Sequence, residues 1–271
     1  MDNFNVYKDI QARTKGEIYI GVVGPVRTGK STFIKRFMEL AVLPAMEDES
    51  LKAVSTDELP QSAGGKTVMT TEPKFIPKEA VQITLGDGIQ AKVRLIDCVG
   101  YMVDGAAGHV ENGEERMVKT PWSEKEIPFT QAAQIGTRKV IGDHSTIGIV
   151  VTTDGSVGEL KRSAYIDAEK QTVDELKKLG KPFILLLNST KPYSDETLKL
   201  AEQLAADYGV TVLPVSCEQL KKEDIFHILE SVLKEFPVTQ LDFHIPKWLE
   251  VLPATHWLKT QVIDMARELL K

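Results

Sequence analysis

Gly24, Gly29, Lys30 and Ser31 complete the pattern GxxxxGK[ST] within GPVRTGKS. No other feature constrains the fold so tightly, because such a loop works only between the end of a strand and the first turn of a helix. The flanks comply. Residues 17–23 (EIYIGVV) form a short apolar run closed by glycine, and Phe33, Ile34, Phe37, Leu40 and Ala41 then recur at helical spacing. A polyphosphate is well solvated in water, so a protein site must replace that hydration with fixed dipoles and cations. Main-chain N–H groups from Val26 to Ser31, together with the helix start, can do this. Gly24, Pro25, Val26, Arg27, Thr28, Gly29, Lys30, Ser31 and Thr32 are therefore expected to line a nucleotide phosphate site. In that site Lys30 reaches the β and γ phosphates and the Ser31 hydroxyl ligates Mg²⁺.

The rest of the chain extends the pattern. Strand-like runs at 81–85 and 91–97 flank a GDG turn, which predicts an antiparallel hairpin. Residues 146–151, 183–188 and 210–215 are continuous apolar runs, as expected of strands covered on both faces. Helix-like stretches near 163–179, 195–208 and 222–235 alternate with them, with Gly180, Pro182 and Gly209 as stops. The alternation predicts an α/β fold of the Ras-like P-loop NTPase kind. Its sheet is mostly parallel with one antiparallel edge hairpin, helices lie on both faces, and a C-terminal helical extension follows. The expected division is an N-terminal segment over 1–16, the NTPase domain over 17–236 and the extension over 237–271. In that extension Leu258, Val262, Met265 and Leu269 form an amphipathic stripe, fit either to dock on the domain's own surface or to serve as an interface.

Asp97 ends an apolar run and opens DCVG, a DxxG element. Its aspartate is expected on the magnesium side of the site and Gly100 on the γ-phosphate. The segment GGKTVMTTEP (64–73) precedes the hairpin, where proteins of this class carry the threonine that senses the γ-phosphate, and Thr70 and Thr71 are both candidates. Tyr101 follows DxxG at a position where a glutamine often orients the attacking water. Tyrosine is a poor substitute, so another group or a neighbouring subunit is needed for that task. Arg27 is a candidate cation for the charge that develops between the β and γ phosphates; a surface salt bridge is the plain alternative.

Guanine is usually read by the aspartate of NKxD. Here the segment is Asn188, Ser189, Thr190, Lys191, and a lysine cannot accept a hydrogen bond from guanine. ATP is the expected nucleotide, with Asn188 and Ser216 as further nucleotide-site residues. A long insertion over 101–128 follows DxxG. The histidines at 109, 144, 227, 244 and 256 show no metal-ligand spacing.

With 33 basic against 39 acidic residues, a formal charge of −6 and no lysine- or arginine-rich run, the chain is not expected to bind nucleic acid. Its first residues lack the basic and apolar stretches of a signal peptide, and no 18-residue apolar run occurs. A cytoplasmic location is expected, with Cys98 and Cys217 as reduced thiols.

The runs VVGPVRTGKSTFIKRFMEL, LPQSAGGKTVMTTEPKFIP, IDCVGYMV and HSTIGIVVTTDGSVGEL resemble the N-terminal ATPase domain of the stage IV sporulation protein A family of endospore-forming bacteria. The resemblance covers nearly the whole chain. It implies a mother-cell morphogenetic ATPase that binds and hydrolyses Mg·ATP and self-assembles on the forespore as the basement of the spore coat. It assigns the P-loop lysine to Lys30, the sensor threonines to Thr70 and Thr71, and the magnesium-side aspartate to Asp97. It also implies further C-terminal domains that contact coat morphogenetic proteins and a small amphipathic membrane anchor. Rival readings are a GTPase switch and a nucleotide-binding scaffold with negligible turnover.

Overall fold

The computed structural model describes residues 16–60, 73–84, 90–106, 110–111, 114–236 and 245–269. The chain divides into two compact units, Met1–Phe236 and Pro237–Lys271.

In the first unit, β1 (Glu17–Val23) runs through the phosphate loop into α1 (Lys30–Phe37), which continues as a wider turn over Met38–Val42. A short helix α2 (Glu49–Asp57) follows, its Asp48 carboxylate accepting the Ser50 and Leu51 N–H groups. Next come β2 (Lys74–Thr84) and β3 (Gln90–Asp97). The insertion folds as two small hairpins, β4 (Val110–Glu111) with β5 (Glu114–Glu115) and β6 (Met117–Thr120) with β7 (Ser123–Pro128). Then α3 (Phe129–Lys139), β8 (Ile147–Thr153), α4 (Ile166–Lys178), β9 (Phe183–Asn188), α5 (Asp195–Tyr208), β10 (Val212–Val215) and α6 (Lys222–Lys234) complete the unit.

Six strands form one sheet in the order β10-β9-β8-β1-β3-β2. Four of its pairs are parallel, and β2 with β3 is antiparallel. The fold is thus the expected α/β class, although only β2 of the hairpin lies at the edge. β2 also begins at Lys74, ahead of the expected 81, and its register slips between Ile76 and Val81. The GDG turn lies outside the described residues.

Period-two alternation divides the strand side chains between two faces. Ile18, Ile20, Val22, Ile147, Ile149, Ile184 and Leu186 pack against Phe33, Ile34 and Phe37 of α1 and Ile225, Ile228 and Val232 of α6. Val23, Ile96, Val150, Leu185 and Leu187 meet Val173 and Leu176 of α4 and Ala201 and Leu204 of α5. Both faces are covered, which explains the continuous apolar runs. Chain order reverses between β1 and β8, so the carboxyl ends of these strands open on the crevice where such folds take their ligands.

The second unit contains α7 (Lys247–Glu250) and α8 (Trp257–Leu269). On α8, Leu258 and Val262 are half-buried and Met265 is exposed, while the Leu269 side chain lies outside the description. Among the described residues no helix is long and apolar enough to cross a membrane.

Candidate functional site

Two glycines let the phosphate loop pass its neighbours. A Cβ on Gly24 would stand 2.4 Å from the Val151 carbonyl oxygen, and one on Gly29 would stand 2.3 Å from Asn188 Nδ2. Between them Arg27 takes φ 63, the one positive-φ non-glycine among the described residues. A left-handed arginine is a costly conformation, of the kind that concentrates at working sites. The Thr28 hydroxyl donates to the Pro25 carbonyl at 3.0 Å and draws the loop closed. Lys30 and Ser31 then form the first turn of α1, where unpaired N–H groups face an incoming anion.

Lys30 is 5% exposed, and its Nζ donates to the carbonyls of Pro25 at 2.5 Å and Gly24 at 3.2 Å. Burial lowers the pKa of this ammonium, while nearby Cys98 and Asp97 oppose the shift. Asp97, at the end of β3, stands in register with Val22 of β1 and Lys74 of β2. Burial pushes its carboxyl up to about 6 against the pull of Lys30. Its Oδ1 is sealed from water without a hydrogen-bond partner. Gly100 has φ +92, and a Cβ there would lie 2.0 Å from the Gly24 carbonyl oxygen and 2.7 Å from Lys30 Nζ. These residues fit a Mg²⁺–nucleotide. Glycine walls admit phosphate closely, Lys30 supplies a cation, and the orphaned Asp97 oxygen with the exposed Ser31 hydroxyl supplies the hard oxygens that magnesium prefers.

One expected contact is corrected. The Val26 N–H donates to the Tyr101 carbonyl at 2.9 Å, and Pro25 bridges Tyr101 in parallel fashion, so the Val26 amide is committed inside the protein. Val26, Tyr101, Val103, Ala106, Tyr165 and Ala168 form a small apolar cluster of their own. Tyr101 is 1% exposed there, and its hydroxyl is sealed from water, with burial raising the phenol's pKa. A side chain locked in that cluster does not orient water at a γ-phosphate. Thr70 and Thr71 lie outside the described residues. Half-exposed Arg27 stands within electrostatic reach of the Tyr165 phenol.

On the base side, Asn188 is 4% exposed and joins two loops. Its Nδ2 donates to the Thr28 carbonyl at 2.9 Å, and its Oδ1 accepts the Cys217 N–H at 3.0 Å. Ser189 N–H donates to the Val215 carbonyl at 2.9 Å, while Ser216 is half-exposed beside it. Thr32 is half-buried on α1, and Lys191 is exposed. Sequence reasoning missed Asp154 and Ser156, which fasten the loops after β8 and β9. An aspartate two residues before a serine at a strand end is an Asx-turn signal.

The family model described as "Stage IV sporulation protein A, ATPase domain" matches residues 1–237. The chain is 50% identical over all of its 271 residues to Stage IV sporulation protein A of Bacillus subtilis (strain 168), covering 55% of that protein. The Bacillus anthracis protein of the same name shows the same identity and coverage. That of Clostridioides difficile (strain 630) is 51% identical over 266 residues, 98% of this chain and 54% of the relative. The chain thus spans about half the length of the curated relatives it matches. With its P-loop, its DxxG aspartate and a family match across most of its length, the chain belongs to the stage IV sporulation protein A family through the ATPase domain.

Proposed function

We propose that this chain binds Mg·ATP and hydrolyses it, as the nucleotide-driven part of a sporulation morphogenetic protein. The observation that carries the reading is the meeting of Lys30, the orphaned Asp97 oxygen and the glycine-walled loop at the carboxyl ends of β1 and β3. Magnesium, when bound, would supply charge neutralisation for the phosphates. Lys30 would exchange its two carbonyl acceptors for phosphate oxygens, the amides from Arg27 to Ser31 would hold the phosphate chain, and Ser31 and Asp97 would hold the metal. Thr70 and Thr71 are proposed to sense the γ-phosphate. Arg27 is proposed as the cation nearest the transferred group. Adenine is favoured because Lys191 puts no acceptor where guanine's N–H groups would need one.

The full-length protein is proposed to self-assemble on the mother-cell side of the forespore as the basement layer of the spore coat. Coat morphogenetic proteins and a small amphipathic membrane anchor are its proposed partners, through regions beyond 237–271. The domain limits 1–16, 17–236 and 237–271 belong to the same reading. A scaffold that binds nucleotide without turnover is the second reading, favoured by the sequestered Tyr101 side chain.

Phosphate release by full-length protein with ATP or GTP, alongside sedimentation and a Lys30→Ala control, tests the proposal. Magnesium-dependent release from ATP that Lys30→Ala abolishes is the expected result. Binding without release favours the scaffold. Displacement of ATP by GTP, without the reverse, would overturn the base assignment.

A further inference from the structure

One carboxylate fastens the loops after β8 and β9. Asp154, the first residue past β8, accepts at Oδ1 the Ser156 N–H (2.8 Å) and the Ser156 hydroxyl (2.6 Å). At Oδ2 it accepts the Thr197 hydroxyl of α5 (3.4 Å). Ser156 Oγ in turn accepts the Thr190 N–H at 2.9 Å and lies 3.5 Å from Ser189 Oγ. Ser189 Oγ accepts the Lys191 N–H at 2.9 Å and stands 3.4 Å from Thr197 Oγ1. The Asp154 N–H donates to the Asn188 carbonyl at 3.4 Å. The main chain of 188–191 is thus tied at Asn188, Thr190 and Lys191 to one network.

An ordinary Asx turn closes on its own serine and stops there. This one reaches a neighbouring loop and the first turn of a helix. Burial works against the Asp154 anion, yet hydrogen bonds from Ser156, Ser189 and Thr197 hold the carboxyl below its usual range. Each of its close partners is a donor, as a carboxylate requires. The segment it fixes carries Asn188, which grips the P-loop at Thr28 and the loop after β10 at Cys217.

We propose that Asp154 is the positioning residue that holds 188–191 against the P-loop and so sets the affinity and base preference of the nucleotide site. The proposal rests on the nucleotide-binding reading above.

The test compares wild type, Asp154→Ala, Asp154→Asn and Ser156→Ala in the full chain. Calorimetric ATP and GTP binding, steady-state hydrolysis and thermal unfolding are measured for each. Asp154→Ala should raise the Kd and KM for ATP about tenfold, leave kcat within about twofold and narrow the preference for ATP over GTP. Asp154→Asn keeps an oxygen for Ser156 and should recover to within about threefold of wild type. A purely structural role would lower Tm without moving Kd or the ATP:GTP ratio, and that result overturns the proposal. Should Asp154→Ala fail to fold, Ser156→Ala decides: an unchanged Kd and base preference there sinks it. Wild-type protein that binds neither nucleotide sinks this proposal together with the site reading, whereas normal wild-type binding matched by Asp154→Ala sinks this one alone.

Discussion

Gly100→Ala isolates the cost of crowding the P-loop. The site combines two obstacles to a side chain, a φ of +92 and a backbone oxygen 2.0 Å from where a Cβ would lie. Gly158 has almost the same φ, +94, but nothing within 4 Å of its Cβ position. Gly158→Ala therefore suffers backbone strain alone, about 1–3 kcal/mol. Gly100→Ala suffers that strain plus an overlap with the Gly24 carbonyl, which no rotamer change can relieve. Overpacking of this kind costs a further ~1–3 kcal/mol. At roughly 2–4 °C per kcal/mol for a unit of this size, Gly100→Ala should melt about 2–12 °C below Gly158→Ala. Thermal unfolding of both variants, followed by circular dichroism without nucleotide, gives the comparison directly. Melting temperatures that coincide to within about 1 °C would refute the claim that Gly100 lies against the P-loop.

Three further outcomes follow from the geometry. Glu169 is fully buried and held by Arg162, Thr152 and Tyr208, so Arg162→Met should destabilise by about 3–5 kcal/mol in denaturant titration, and Arg162→Met/Glu169→Leu should recover most of that loss. Asp97, raised by burial to about 6, favours the folded state while neutral and loses that contribution as pH climbs from near 4 through 6. In chelator, the stability of Asp97→Asn relative to wild type should therefore rise between pH 4.5 and 7.5, on the order of 2 kcal/mol; a fall would contradict the assignment. Asn188→Ala removes the tie between Thr28 and Cys217, and should weaken calorimetric ATP binding by about tenfold or more.

Much of this was legible in the residues because the strongest signals are local. The glycines and lysine of the P-loop, its flanking strand and helix, and the apolar runs of β8 and β9 each declare themselves within a dozen positions. Elements without an apolar stripe did not. On α2 only Ser55 is buried, and α3 buries Ala132, Ala133, Gly136 and Thr137 beside Phe129, small residues that make a weak pattern. The early start of β2 was hidden by Pro77, Lys78 and Glu79, which interrupt alternation where the register slips. In the site, the diversion of the Val26 amide to Tyr101 depends on contact between residues 75 apart in number, beyond any local rule. The Asp154 network likewise exists only once β8, β9 and α5 lie side by side.

The borders of the sheet bear on how copies of such a chain can join. Among the described residues, β10 and β2 each leave one flank without a strand neighbour. β10 carries Pro214, which has no N–H to offer, and β2 carries Pro77, two charged residues after it and a break in register. Proline, charge and irregularity are the means by which natural proteins keep open borders from recruiting more strands. Addition of a further strand at either of these borders is therefore disfavoured, and with it the 4.7–4.8 Å cross-β spacing that continuous strand addition creates.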